Sequence, residues 1–163
     1  MDDQTMARKN KQNASNVAAR NRKARYNYFI EENLEAGIIL TGTEVKSLRS
    51  GRSSIEESYA ADQDGELFLV NAYIPEYEAG TRNQHEVRRP RKLLLHKRQM
   101  GKLSNSITRD GITIVPLSLY FNKRGIAKVE LGLAKGKRQH EKRASIKERE
   151  WKRDQGRLLK GKI

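Results

Sequence analysis

Apolar positions along the chain fall in short runs separated by turn residues, and most runs have the period of a strand. Tyr26-Asn27-Tyr28-Phe29-Ile30 and Gly37-Ile38-Ile39-Leu40 predict two strands with a turn over Glu31–Ala36. Thr43 to Gly51 predicts a short helix: Thr43 can cap it, Val45 and Leu48 share a face, and Gly51 supplies a left-handed stop. A hairpin is expected from Ser58 to Ile74 around Asp64-Gly65, ended by Pro75, and residues 76–91 form the one long internal loop. Met100, Leu103 and Ile107 mark a helix between His96 and Arg109. Ile112 to Phe121 alternates as a long strand in which Pro116 asks for an edge position or a bulge, and after the Asn122–Gly125 turn Ile126 to Leu133 returns as its partner. About six strands and two short helices without βαβ alternation predict a mainly β protein with short helices. The architecture expected is a small antiparallel barrel with helices at its ends, for which an oligonucleotide-binding barrel is the natural candidate.

The two ends lack this texture. Residues 1–20 are rich in Asn, Lys, Ala and Gln and read as a disordered arm, with Ser15 to Ala24 able to form a short helix when docked. Residues 135–163 read as a basic tail in which Ser145 to Leu159 is a charged helix former. Glu148 and Lys152 make a favourable i,i+4 pair, and Trp151 and Leu158 share a face. That face is too narrow to hold a helix alone, so the tail is expected to order mainly on a partner. The division is therefore an arm over 1–20, a barrel domain over 21–134 and a tail over 135–163.

Charge sharpens this division. The chain has 163 residues and a formal net charge of +14. Residues 1–25 carry +5 and residues 135–163 carry +8, which leaves a nearly neutral middle. Within the middle, residues 26–81 are acidic (−8) and residues 82–134 basic (+9). If the halves segregate in space, the basic side is a docking side; the alternative is intramolecular pairing between them. Nucleic acid is the leading partner class and an anionic membrane surface the weaker one. Only 36% of residues are hydrophobic, no apolar run approaches the roughly 20 residues of a membrane span, and the N-terminus has no secretory h-region. With no cysteine, disulfides, thiolate zinc sites and cysteine nucleophiles drop out, and a cytoplasmic, reducing setting fits.

No catalytic constellation accompanies the charge. His85, His96 and His140 lack metal-pair spacing, and Glu31-Glu32 and Glu56-Glu57 read as solvated surface. Gly132-Leu-Ala-Lys-Gly-Lys137 departs from a phosphate loop in spacing and in its missing final hydroxyl. The expectation is a binding protein without enzyme activity, metal or cofactor. Arg22, Lys23, Arg25, Arg91, Lys92, Lys123, Arg124 and Lys128 are candidate nucleic-acid contacts of the body. Tyr26 is either a stacking platform or a core aromatic, and Leu93–Leu95 reads as core.

Several blocks together resemble a known family. These are Asn21-Arg-Lys-Ala-Arg-Tyr-Asn-Tyr-Phe-Ile30, Glu35-Ala-Gly37, Gly42-Thr-Glu-Val-Lys-Ser-Leu-Arg49, Arg91-Lys-Leu-Leu-Leu95 and Leu117-Ser-Leu-Tyr120, then Ala134-Lys-Gly-Lys-Arg-Gln-His-Glu-Lys-Arg143 and Ile146-Lys-Glu-Arg-Glu-Trp151. In this order, over residues 21–163, they resemble the SsrA-binding protein family, also called small protein B. The resemblance implies an RNA-binding factor of trans-translation that takes the tRNA-like domain of transfer-messenger RNA to a stalled ribosome. It implies that the body stands in for the anticodon arm and that the tail becomes helical in the empty message channel. Alanyl-tRNA synthetase and elongation factor Tu are the implied wider partners. Glu35 lies in a family motif near the RNA surface and could also act indirectly by holding a neighbouring cation. Lys137, His140, Lys142 and Arg143 match the family's tail elements and imply contact with ribosomal RNA, with Trp151 as an anchor; Glu141 stands where Asp is more usual. The competing reading is a ribosomal protein or general RNA chaperone with basic arms.

Overall fold

A computed structural model describes residues 16–79, 83–137 and 139–161. Seven strands follow in chain order: β1 (Val17–Arg20), β2 (Tyr28–Ile38), β3 (Tyr59–Gln63), β4 (Glu66–Val70), β5 (Arg91–Leu94), β6 (Thr113–Phe121) and β7 (Ala127–Gly136). Four helices join them: α1 (Ala24–Asn27), α2 (Gly42–Ser50), α3 (Lys97–Asp110) and α4 (Gln139–Lys160). Every pairing is antiparallel, and β6-β3-β4-β5-β2-β7 closes on itself through the β6–β7 pair, with β1 added to β6. Closure removes free strand edges from the six-membered ring. The barrel expected from the alternation of apolar residues is the one that forms.

Leu48, Leu67, Leu69, Leu93, Leu103, Ile114, Leu119, Val129 and Leu131 fill the main core, each at most 1% exposed. At roughly 1.5–3 kcal/mol per fully buried Leu, Val or Ile, this set dominates the cohesion of the ring. The β3–β4 turn follows its sequence signal: Asp64 (φ 54°) and Gly65 (φ 81°) are both left-handed, and Asp62 Oδ1 accepts the Gly65 N–H at 3.1 Å. Gly51 ends α2 in the left-handed region (φ 83°) as expected, but Thr41 rather than Thr43 is the cap. Thr41 and Glu44 form a capping box, while the Thr43 hydroxyl lies 2.9 Å from Nδ1 of buried His85.

Two strand expectations change. Glu31–Ala36 is not a turn: it is the middle of β2, which pairs with β7 from Tyr28 to Gly37. Asn33 and Glu35 point outward while Leu34 and Ala36 face in, a pattern that local polarity hides. Val17–Arg20 is a strand on β6, so order begins before residue 21; the rest of the expected arm, residues 1–15, lies outside the described residues.

Pro116 sits at a bulge between Pro116 and Ser118, and β2 carries another between Ile30 and Glu32. An extra residue reverses side-chain parity. Tyr28 and Ile30 thus pack with Ala24, Val115, Leu117 and Ala134 in a second cluster, on the face of β7 opposite Leu131 and Leu133. Gly132 permits this approach, since a Cβ there would lie 3.1 Å from Ile30 Cγ2 and 3.2 Å from Leu117 Cδ1. Asn21 ties the cluster down, its N–H donating to the Leu117 carbonyl at 2.9 Å and its side-chain amide to the Pro116 carbonyl at 3.0 Å. The outer cluster seats α1, and with it Arg22, Arg25 and Tyr26, on the barrel wall.

The acidic and basic halves pair across the barrel. Glu32–Lys102 and Glu66–Lys92 are 2.9 Å exposed bridges, and buried Glu44 takes both Arg89 and Arg91. Arg91 is fully buried: Nε donates to Glu44, Nη1 to the Ala72 carbonyl at 2.8 Å and Nη2 to the Val87 carbonyl at 3.1 Å. This corrects its assignment as an RNA contact, because every face of the guanidinium is committed to the protein interior. Burial alone would raise the Glu44 carboxyl, but hydrogen bonds from Arg89, the Thr41 N–H and Arg91 outweigh it and hold the group below its ordinary range. Burial lowers the Arg91 guanidinium against the opposing pull of Glu44.

Candidate nucleic-acid interface

Beside α1 the outer wall of β6, β7 and β2 forms an open cleft of about 670 Å³. Arg20 at the end of β1, then Arg22 and Arg25 around α1, supply its cationic side. Asn33, Glu35, Ser118, Tyr120 and Glu130 supply a polar floor. Register explains the convergence: Glu35 lies opposite Glu130, and Glu130 opposite Ser118, so three adjacent strands direct their outward positions to one place.

The floor is wired before any ligand arrives. Tyr120 donates its hydroxyl to Glu35, Asn33 donates its amide to Glu130 at 3.0 Å, and Ser118 donates to the other Glu130 oxygen at 3.2 Å. Partial burial, the Glu35 hydrogen bond and the charges of Glu35 and Glu130 push the Tyr120 phenol well above its ordinary value, so it remains a neutral donor. Among the described residues, Arg20, Arg22 and Arg25 are in none of the ion pairs, which leaves three guanidinium groups facing an acidic floor. Asn21 Oδ1, buried at the same cleft, has no hydrogen-bond partner. The arrangement offers cations to phosphates and acceptors to the 2′-hydroxyls and exocyclic amines of RNA.

Of the residues expected to touch RNA, Arg22, Arg25 and Glu35 meet in this cleft. Glu35 holds Tyr120 rather than a neighbouring cation. Lys128 is opposite both Gly37 and Tyr120 on the same wall. Lys23 lies outside the cleft lining, 3.7 Å from Glu56, and Lys92 is on β5, 2.9 Å from Glu66. Lys123 and Arg124 stand exposed on the β6–β7 turn, away from the cleft lining. Tyr26 is half-buried on α1 rather than a core aromatic of a strand. Arg20, Asn33, Tyr120 and Glu130 were missed, although the alternation of β6 and β7 carried the signal for the last two. The same period places Leu94 outward: it is 50% exposed over Gly37, between buried Leu93 and half-buried Leu95.

The tail forms α4, which begins at Gln139, earlier than expected. Its 22 residues exceed the roughly 12–15 below which isolated helices are marginal, and Glu148–Lys152 at 3.1 Å is the anticipated i,i+4 pair. His140, Arg143 and Trp151 are exposed, Trp151 at 63% with Leu158 and Leu159 at 69% and 70%. Lys142 lies with its ammonium 5.9 Å from the Tyr26 ring centroid, and Lys137 sits at the junction with β7. Among the described residues there is no acidic, His or Cys group of three able to hold a metal, and no helix long and apolar enough to cross a membrane.

Known proteins share this chain's pattern nearly end to end. The SsrA-binding protein of Paramagnetospirillum magneticum is 61% identical over 146 residues, 90% of this chain and 95% of its own length. That of Beijerinckia indica is 58% identical over 153 residues, covering 93% and 97%. A chain from a solved structure concerned with tmRNA–SmpB and its journey to the center of the bacterial ribosome superposes with a TM-score of 0.63. It is 52% identical and covers 74% of this chain and 84% of its own. The family model described as SmpB protein matches residues 18–161, spanning the barrel, the arginine-lined cleft and α4. By sequence and by fold, this chain belongs to the SmpB protein family.

Proposed function

We propose that this protein binds transfer-messenger RNA and serves trans-translation in the cytoplasm, presenting its tRNA-like partner to stalled ribosomes. The observation that carries the reading is the cleft in which Arg20, Arg22 and Arg25 face the Glu35–Tyr120 and Glu130–Asn33–Ser118 floor, in a chain 61% identical to an SsrA-binding protein. Phosphates settle on the arginine side, where each contact adds sequence-independent affinity, while ribose hydroxyls and base edges meet the acceptors. Exclusion of phosphate from the floor by its two carboxylates fixes which edge of the RNA enters.

The barrel then occupies the volume of an anticodon arm, and α4 enters the vacant message channel. His140 stacks on a ribosomal base, Lys142 and Arg143 neutralise phosphates, and Trp151 anchors the helix. Alanyl-tRNA synthetase and elongation factor Tu act on the same RNA complex during charging and delivery. The body is residues 16–137 and the probe begins at α4.

Crosslinking the protein in cells and sequencing the attached RNA tests the assignment. One dominant tRNA-like RNA is expected; a broad population of ribosomal and messenger RNA would overturn it in favour of a general RNA chaperone. If about six phosphates are neutralised, log K falls against log salt with a slope near −4 to −5.

A further inference from the structure

The two carboxylates of the cleft floor are held in different ways. Glu35 is exposed and takes one neutral donor, the Tyr120 hydroxyl. Glu130 is half-buried on β7 and is gripped from both sides: Asn33 of β2 donates to Oε1 at 3.0 Å and Ser118 of β6 to Oε2 at 3.2 Å. Contacts from two neighbouring strands thus fix the plane of its carboxyl group before any ligand arrives. A carboxylate offers about four acceptor sites, two on each oxygen. Asn33 and Ser118 fill one on each, which leaves a matched pair of acceptors on a group that lines the cleft.

Among the described residues Glu130 is in none of the ion pairs, so the guanidinium groups of Arg20, Arg22 and Arg25 stop short of it. Tyr120 and Ser118 each spend their single hydroxyl proton on a carboxylate. Asn21 adds a further acceptor, its buried Oδ1 standing at the same cleft without a hydrogen-bond partner. A group seated on this floor must therefore bring donors. Of the four RNA bases only guanine carries two adjacent donors on one edge, N1–H and N2–H, at the spacing of two carboxylate oxygens. Adenine and cytosine set one amine beside a ring-nitrogen acceptor, and uracil flanks its single N–H with two carbonyls, so each presses a lone pair against Glu130. Single-stranded loops and bulges present such edges unpaired.

We propose that Glu130 is a specificity-determining residue that accepts N1–H and N2–H of one unpaired guanine of the bound RNA, with Asn33 and Ser118 as the positioning residues that hold its carboxylate in plane. This rests on the RNA-binding reading above and adds a base identity to it. The arginines supply affinity that is indifferent to sequence, and Glu130 reads one letter.

The test uses full-length protein and tRNA-like RNA in which guanosines are replaced one at a time by inosine, which keeps N1–H and lacks the N2 amine. With the parent protein, inosine at one unpaired position should raise Kd by about tenfold. Glu130→Gln keeps the side-chain shape and the Asn33 bond but sets an amide donor beside its oxygen, with the Ser118 hydroxyl turning to accept. This variant should lose the inosine effect at that position and favour adenosine there by about fivefold, because the N6 amine and N1 of adenine match the amide. Inosine effects that arise from RNA folding persist in the variant and are thereby separated from base reading. Should Glu130→Gln melt early, Glu130→Ala serves in its place, with loss of the inosine effect and no gain for adenosine. A parent protein indifferent to inosine at every guanosine, an inosine effect that survives in the variant, or its loss in a well-folded Glu130→Gln without the gain for adenosine overturns the proposal and leaves the RNA-binding reading standing. Failure of the parent to bind tRNA-like RNA overturns both.

Discussion

In the barrel Arg91 is fully buried, its guanidinium divided among Glu44 and backbone carbonyls of the loop that leads to β5, whereas on α4 Arg143, Arg149 and Arg153 stand in solvent. Both regions come from strongly basic stretches of sequence. In the first, cations organise a core that hydrophobic residues alone do not fill; in the second they remain available to a polyanion. The difference teaches that charge density marks an RNA-binding surface only where the fold leaves the charge unpartnered. Between these extremes the cleft keeps Arg20, Arg22 and Arg25 free of ion pairs among the described residues, beside carboxylates occupied by neutral donors.

The largest effect should come from breaking the buried side of this contrast. Glu44→Ala leaves Arg91 charged and unpaired and also removes the capping box of α2, so a loss of about 3–5 kcal/mol is expected in urea unfolding. That is a large fraction of a typical 5–15 kcal/mol domain stability, on the order of the whole margin in a weak case. Arg91→Met should cost less, because Glu44 keeps Arg89 and the Thr41 N–H. Equal stability of Glu44→Ala and the parent would remove the network from any structural role.

Cutting the chain after Lys137 is the converse experiment. It preserves all of β7, which runs to Gly136 and pairs Lys135 with Phe29, where a cut after Ala134 would strip two paired residues. Peptide tagging in a reconstituted system should vanish, while tRNA-like RNA still binds and barrel stability changes by no more than about 0.5 kcal/mol. Tagging that survives the cut would return the tail to a solvated appendage.

Acid titration probes the same network more gently. The Glu44 carboxyl is held below its ordinary value of 4.5 in the folded chain, so the native state favours the charged form. Its contribution is complete above that ordinary value and is lost as pH falls through the lower folded one. Stability measured from pH 7 down to pH 3 should therefore show an acid limb that is shallower in a Glu44→Gln variant; identical limbs would assign acid sensitivity to other carboxylates.

The smallest changes are expected on the cleft. Arg22→Ala and Arg25→Ala should each weaken RNA binding across sequences and reduce the salt slope by about 1, with stability altered by less than about 0.5 kcal/mol. Lys92→Ala, whose ammonium already serves Glu66, should leave that slope where it was.

Much of this was readable along the chain. Alternation marked β6 and β7, Asp64-Gly65 marked the hairpin, and Pro116 marked a bulge because a residue without an N–H interrupts a ladder wherever it sits. Glu31–Ala36 read as a turn because a strand whose outward side is polar looks irregular until its partner is known, and here the partner lies about a hundred residues away on β7. Thr43 was a credible cap by type, but Thr41 has the extended backbone that capping needs. Leu94 and Arg91 lie three residues apart in one basic-apolar block, yet the pleat of β5 sends the leucine out and the arginine in.

Sequence alone therefore determined what is local or additive: the strand period, turn chemistry, the absence of cysteine chemistry, the concentration of charge at the two ends and the family blocks. Which arginines are buried and which carboxylates line the cleft were decided only by the closed barrel. Closure and two bulges set the facing of every strand, and whether a charged group meets water, a counter-ion or a polyanion depends on that facing rather than on its neighbours in the chain.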